Sequence, residues 1–288
     1  MRSRPRRPSR PSAAHPTRRR GWLAVVTGLA TALALAGPTS TSAAPREVAA
    51  PAPPPANATW DYQIGGAYKL PAGVRVVSRD REARPAPGAY SICYVNAYQT
   101  QPQEIRWWTQ HHPRLLLRRP GGKLVVDGAW GEVLLDVRTK AKRHALARIV
   151  GRWIHRCGTD GFDAVEPDNL DSWTRSAGLM TRDQAFAYAQ LLVNRAHRNG
   201  LAIAQKNAAG QVGRGVAVGF DFAVAEECGR WHECGRYARA YHDHVLVVEY
   251  RDQDFTAACA RWGRRLSIIR RNLMVTAPGS PRYVYDAC

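Results

Sequence analysis

The sequence predicts an α/β protein of the (β/α)8 TIM-barrel class, built as a single domain. Two observations lead there. Short apolar runs alternate with helical patterns, the rhythm of a parallel βα fold. About 230 of the 288 residues follow the leader and linker described below, a length that suits one barrel. An open doubly wound sheet is the alternative with the same rhythm.

The chain opens with a segment that stands apart from this pattern. Residues 1–20 hold eight arginines and no acid, and Trp22 to Ala36 is apolar and small before Gly37 and Pro38. A basic stretch, an apolar core and the small residues Thr41-Ser42-Ala43-Ala44 make a secretory signal peptide, residues 1–44, with cleavage near Ala43 or Ala44. The core is shorter than the ~20 residues of a membrane span, so no stable span is expected after cleavage. Arg18-Arg19-Arg20 leaves the general and twin-arginine export routes both open. Residues 45–57 are Pro/Ala-rich and read as an extended linker. The barrel domain is then 58–288.

Strand-like runs cover 60–64, 74–78, 90–95, 133–137, 162–165, 201–205, 220–225, 245–250 and 266–269. Most are short and apolar, as in parallel strands covered on both faces. Nine runs for eight places suggest one extra strand at the N-terminus. Helices are expected over 139–156, with Leu146, Ile149, Val150 and Ile154 on one face, and over 181–198. The second opens on the capping box Thr181-x-x-Gln184 and stops at Asn199-Gly200. Gly210 to Gly215 is glycine-rich but lacks the Lys-Ser/Thr of a phosphate loop, and reads as a turn.

All six cysteines lie in the exported part, which favours disulfides. Cys228 and Cys234 are close enough to staple one loop, Cys288 suits Cys259, and Cys93 and Cys157 are what remain. Zinc, with His232 between the near pair, is the competing use, but two close-spaced ligand pairs are missing.

Charge first suggests another function. Lys+Arg number 42 against 23 Asp+Glu, a net +19, which invites a nucleic-acid partner. Removing the eight leader arginines leaves +11, and the acids of the remainder gather at strand ends. Five successive strands finish on polar groups: Asp136; Glu166, Asp168 and Asn169; Lys206 and Asn207; Glu226; Glu249 and Tyr250. In a parallel barrel such groups converge on one mouth. Helix capping explains any one acid there, but accounts poorly for five ends in a row. Paired carboxylates at a mouth are what glycosidic cleavage requires. Glu166 and Asp168, two apart, share a strand face, so spacing leaves both open as the nucleophile. Glu226 and Glu227 are adjacent, so only one is expected to face the mouth.

At these residues the chain resembles the glycoside hydrolases typified by endo-α-1,4-polygalactosaminidase (family 114). The matching stretches are Trp60-Asp-Tyr-Gln63, Ile92-Cys-Tyr94, Trp130 to Asp136, Gly161 to Asp171, Lys206-Asn207, Phe220 to Cys234 and Val248-Glu-Tyr250. The resemblance implies a (β/α)8 barrel and retaining, endo-acting cleavage of an α-1,4-linked galactosamine polysaccharide. Carried over, Asp168 is the nucleophile and Glu226 the general acid/base. Tyr94, Asp136, Glu166, Asn169, Lys206, Asn207, Glu249 and Tyr250 are expected to bind sugar, with Trp60 a further stacking candidate. Val95 to Gln101 and Arg79-Asp80-Arg81 depart from the family pattern. This chemistry needs no metal or organic cofactor. A secreted monomer is expected, with no nucleic-acid partner. A barrel that binds carbohydrate without cleaving it is the alternative, and intact Asp168 and Glu226 speak against it.

Overall fold

Eight parallel strands, β1 to β8, follow one another in sequence and in space, and an antiparallel strand closes the order. They are β1 Trp60–Gln63, β2 Val76–Asp80, β3 Tyr90–Asn96, β4 Ala164–Asp168, β5 Ala202–Lys206, β6 Phe222–Glu226, β7 Val245–Glu249 and β8 Ser267–Arg271, with β9 Tyr285–Ala287 paired antiparallel to β8. The computed structural model describes residues 51–288, so the signal-peptide reading lies outside the described residues. Among these, no helix is long and apolar enough to cross a membrane.

Alternation along the strands builds two cores. Ile92, Ala164, Ala202, Ala204, Phe222, Val224, Leu246 and Val248 point into the barrel. Cys93, Val165, Ile203, Ala223, Val245 and Val247 point out, against the helices. The helices are α1 Ile105–His111, α2 Lys140–Asp160, α3 Arg182–Arg198, α4 Val212–Val218, α5 Cys234–Ala240 and α6 Asp252–Trp262. Thr139 caps α2, and Thr181 with Gln184 forms the expected capping box on α3. The crossovers from β1 to β2 and from β2 to β3 carry no helix, so the outer layer is incomplete. Residues 210–215 are helical rather than a turn: Gly215 lies in α4, packed so closely on Gln205 and Tyr241 that a Cβ has no room.

The extra strand is not where the sequence suggested. Residues 60–63 belong to the barrel, and it is 133–137 that does not. Its buried Val133, Leu134 and Leu135 make isolated antiparallel bridges to Val126, Gln99 and Leu116 inside the long excursion between β3 and α2. A buried apolar run looks alike in either role. The excursion matters for function, since it carries Asp127, Trp130 and Glu132.

Two devices finish the barrel. Among the described residues β1 and β8 share no backbone ladder. Instead the fully buried Arg271 bridges them, donating from Nη1 to Asp61 Oδ1 (2.7 Å) and to the Tyr62 carbonyl, and from Nε to the Val284 carbonyl (2.8 Å). Tyr285 on β9 adds a bond to the Trp60 carbonyl (3.0 Å). Below, residues 51–57 have no helix or strand but dock on the strand starts, where the Ala52 and Pro54 carbonyls accept from Tyr90 Oη and His244 Nδ1. Disulfides join Cys93 to Cys157, Cys228 to Cys234 and Cys259 to Cys288. The near pair being bonded to itself removes both sulfurs from metal ligation.

Candidate active site

The site is organised around a buried cation. Lys206 ends β5, is 2% exposed, and points into the barrel at the C-terminal ends of its neighbours. Its Nζ lies 2.9 Å from Asp168 Oδ1, 3.1 Å from Glu166 Oε1, 3.6 Å from Glu226 Oε2 and 3.1 Å from Tyr62 Oη. Burial disfavours its charge, but the carboxylates of Asp168, Glu226 and Glu166 outweigh that and hold it firmly protonated.

The two carboxylates of β4 share the inner face but differ in depth. Glu166 is fully buried beneath the mouth, accepting from Tyr62 Oη (2.8 Å) and Ser78 Oγ (2.6 Å). Burial pushes its carboxyl above the usual range, against the pull of Lys206. Asp168, one layer up, lines the open cleft. It accepts from Lys206, from Tyr94 Oη (2.7 Å) and from the Asn169 backbone N–H (2.8 Å). Burial opposes its ionisation, yet Lys206 and these hydrogen bonds prevail and keep its carboxyl below the ordinary value. Glu166 therefore holds Lys206 in place and does not meet solvent, so its assignment as a sugar ligand is corrected. The ladder between β4 and β5 ends at Val165, below Pro167, which has no N–H to extend it.

Glu226 ends β6 and is gripped from two sides. Asn207 donates from Nδ2 to Oε2 (2.9 Å) while its Oδ1 accepts from the Glu226 backbone N–H (2.9 Å), and Tyr250 Oη donates to Oε1. Asn169, Asn207 and Glu227, each just past a strand end, have φ of 67°, 50° and 55°. Asparagine tolerates this left-handed region, whereas glutamate pays for it, and such strain gathers at functional sites. At Glu227 the turn also breaks strand alternation. Both Glu226 and Glu227 consequently line the cleft, contrary to the expectation that one would face away.

Three further assignments are corrected. Asp136 does not stand at a barrel strand end. Its buried carboxylate is held by Arg138 (2.9 and 2.8 Å) and Lys142 at the start of α2, and Arg138 and Lys142 outweigh burial to keep its carboxyl low. Glu249 has the outward parity of Val245 and Val247. Its Oε1 accepts from the Gly229 N–H (2.7 Å), and burial pushes its carboxyl up to about 7. Trp60 is buried inside the barrel and cannot stack on sugar. Tyr94, Asn169, Lys206, Asn207 and Tyr250 do line the cleft.

Glu132 is one of several cleft residues that sequence reasoning passed over, with Asp127, Asp171 and Arg175. It enters the cleft from the excursion, its Oε2 accepting from Asn96 (2.9 Å) and Asn169 (3.4 Å). Burial, with Asp168 and Asp127 nearby, raises its carboxyl to about 7 despite the Asn96 bond. The only signal was its place inside the Trp130 to Asp136 block.

A buried lysine shared by strand-end carboxylates at the floor of a cleft is an arrangement that can support acid–base or nucleophilic chemistry. The comparison with protein families decides which kind. The family model for glycoside-hydrolase family GH114 matches residues 40–288. The chain belongs to family GH114. It is a glycosidase, and the expectation drawn from its motifs holds. None of the curated proteins matches the GH114 chain in sequence. Among solved structures it is similar to Aspergillus fumigatus Ega3 in complex with galactosamine, at 18% identity and a TM-score of 0.64 over 86% of this chain and 100% of that one. It is also similar to the glycoside hydrolase domain of PelA from Pseudomonas aeruginosa, at 13% identity and a TM-score of 0.55 over 77% and 97%. These likenesses carry the barrel fold of this GH114 chain.

Proposed function

We propose that this GH114 chain is an exported, retaining, endo-acting glycosidase of α-1,4-linked galactosamine polysaccharide, with Asp168 as nucleophile and Glu226 as general acid/base. The observation that carries this is the span across Lys206. Asp168 Oδ1 and Glu226 Oε2 lie 2.9 and 3.6 Å from one Nζ, so those two oxygens are no further apart than the two distances laid end to end. That bound does not exceed the ~6.5 Å at which inverting pairs begin, and it is compatible with the ~5–5.5 Å of retaining ones.

In the first step an Asp168 carboxylate oxygen bonds to the anomeric carbon as the glycosidic C–O bond breaks, and Glu226 gives its proton to the leaving oxygen. Water then attacks the same carbon, returning a proton to Glu226 and freeing Asp168. Tyr94 and Lys206 keep Asp168 anionic between cycles. Galactosamine is the sugar bound in the Ega3 structure, and the cleft suits a cationic polymer. Its two lobes are lined by seven carboxyl groups against the cations Arg175 and Lys206. Local charge of this sign attracts an ammonium even within a basic protein. Three disulfides and the basic, apolar leader support export.

Digestion of a panel of α-linked polymers, with products identified by mass spectrometry, tests the substrate. Oligomers released from the galactosamine polymer are expected. Activity confined to neutral galactosides would overturn the amino-sugar assignment.

A further inference from the structure

Away from the cleft, hollows lined by cations and by no acid are not all alike. The one formed by Arg114, Arg118, Arg138 and Lys142 has its counter-charge at hand, because Asp136 accepts from both Arg138 and Lys142. The hollow between α5 and α6 has none. Its volume is about 330 Å³, and Arg236, Arg239, Arg261, His232 and Trp262 line it with neither Asp nor Glu. Arg236 and Arg239 stand three residues apart on α5, hence on one face, and Arg261 comes from the last turn of α6. Among the described residues Arg239 and Arg261 form no ion pair, and Arg236 meets Glu233 only at 3.8 Å. Each guanidinium carries five N–H donors. Three such groups around one hollow repel one another unless an anion enters.

The local packing brings these groups together. A Cβ on Gly235 would stand 3.1 Å from the Trp262 ring and 3.5 Å from Arg239 Nη1, so a glycine there lets ring and guanidinium converge. Arg261 lies over the same ring at 5.4 Å, which limits the directions its fork can take. Arg236 and Arg239 also line a second hollow on the other side of α5, about 370 Å³, with Val216 and again without an acid. The basic face is therefore continuous across α5, and a ligand larger than one ion has room on it. Guanidinium forks match oxyanions, but not all equally. A carboxylate offers two oxygens and one charge, enough for one fork. A phosphate group offers three or four oxygens and a charge of up to about −2, which suits three.

We propose that the hollow between α5 and α6 is a phosphate-binding site, in which Arg236, Arg239 and Arg261 hold one phosphate group, either free or carried on a phosphodiester-linked surface polymer. The site lies outside the cleft and does not depend on the glycosidase reading. Isothermal titration calorimetry of the purified chain at low salt tests it, with inorganic phosphate and poly(glycerol phosphate) as probes and acetate as the carboxylate control. Saturable binding of a phosphate probe is expected, tighter than acetate by at least about tenfold. Arg239→Gln/Arg261→Gln should weaken it by at least about tenfold. Arg148→Gln/Arg152→Gln, which removes the same charge from the exposed face of α2, should leave it unchanged. Both double variants should melt at the wild-type temperature without phosphate, since all four side chains are exposed. Tighter binding of the polymer, counted per phosphate, would make the polymer the source of the ligand, and the reverse would make it free phosphate. No saturable binding of either probe would overturn the proposal. So would phosphate binding no tighter than acetate, or equal losses in the two double variants.

Discussion

The ammonium of Lys206 lies 2.9 Å from Oδ1 of Asp168, with the lysine 2% exposed. A cation so buried is tolerable only because Glu166 and Glu226 also face it, and the carboxylates are tolerable only because of the lysine. The pair is a structural and an electrostatic unit. Lys206→Met keeps the length of the side chain and removes the charge. We expect a loss of about 3–5 kcal/mol in urea unfolding at pH 7, as for other broken buried pairs. Without Lys206 the carboxyls of Glu166 and Asp168 titrate higher when folded, so the deficit should shrink as pH falls through those raised values. A deficit independent of pH would count against this picture.

Tyr94 donates to Asp168 Oδ2 (2.7 Å), and that bond helps hold the carboxyl below its ordinary range. A nucleophile must be ionised, so the acidic limb of kcat/KM reports on it. Tyr94→Phe should move that limb upward, by roughly one pH unit for a bond to a charged group worth about 1.5 kcal/mol. An unmoved limb would mean that a different group governs it.

Glu249 shows the opposite behaviour away from the cleft. Burial above all pushes its carboxyl up to about 7, and among the described residues its Oε2 has no hydrogen-bond partner. A raised carboxyl favours the folded state below the unfolded value near 4.3, and that contribution is lost as pH rises through 7. Glu249→Gln has no such charge to bury. The variant's melting temperature relative to wild type should therefore climb between pH 5 and pH 8, by the equivalent of about 2 kcal/mol. Parallel curves would show that Glu249 ionises freely.

Cleavage through an Asp168 nucleophile, as proposed, carries a stereochemical prediction. Proton NMR of a fresh digest should show new reducing ends appearing first as the α anomer, before mutarotation, because two displacements at one carbon retain configuration. Initial β product would place a water between the two acids and contradict the nucleophilic role of Asp168.

Much of this was legible before the fold was known, and what was not has physical reasons. The caps of α2 and α3 and most barrel strands follow from side-chain period and turn chemistry, which are local. Asp168, Lys206 and Glu226 could be named because strand ends in a parallel barrel converge. Depth was invisible: Glu166 and Asp168 share a face, and only packing puts one below the mouth and the other in it. Parity at a strand end was equally hidden. Glu249 faces out because β7 continues regularly to its last residue, while Glu227 turns in because the chain leaves the strand there with positive φ. Glu132 and Asp136 were misjudged together, since an apolar run pairing antiparallel in an excursion cannot be told from a barrel strand by composition.

The central claim is that Asp168 and Glu226 together break the glycosidic bond, and it is tested most directly by release of reducing ends from α-1,4-linked galactosamine oligomers. Asp168→Asn and Glu226→Gln, each checked for wild-type folding by circular dichroism, should each lower the rate by about 10²–10⁴-fold or more. Release at the wild-type rate by either variant would contradict the claim.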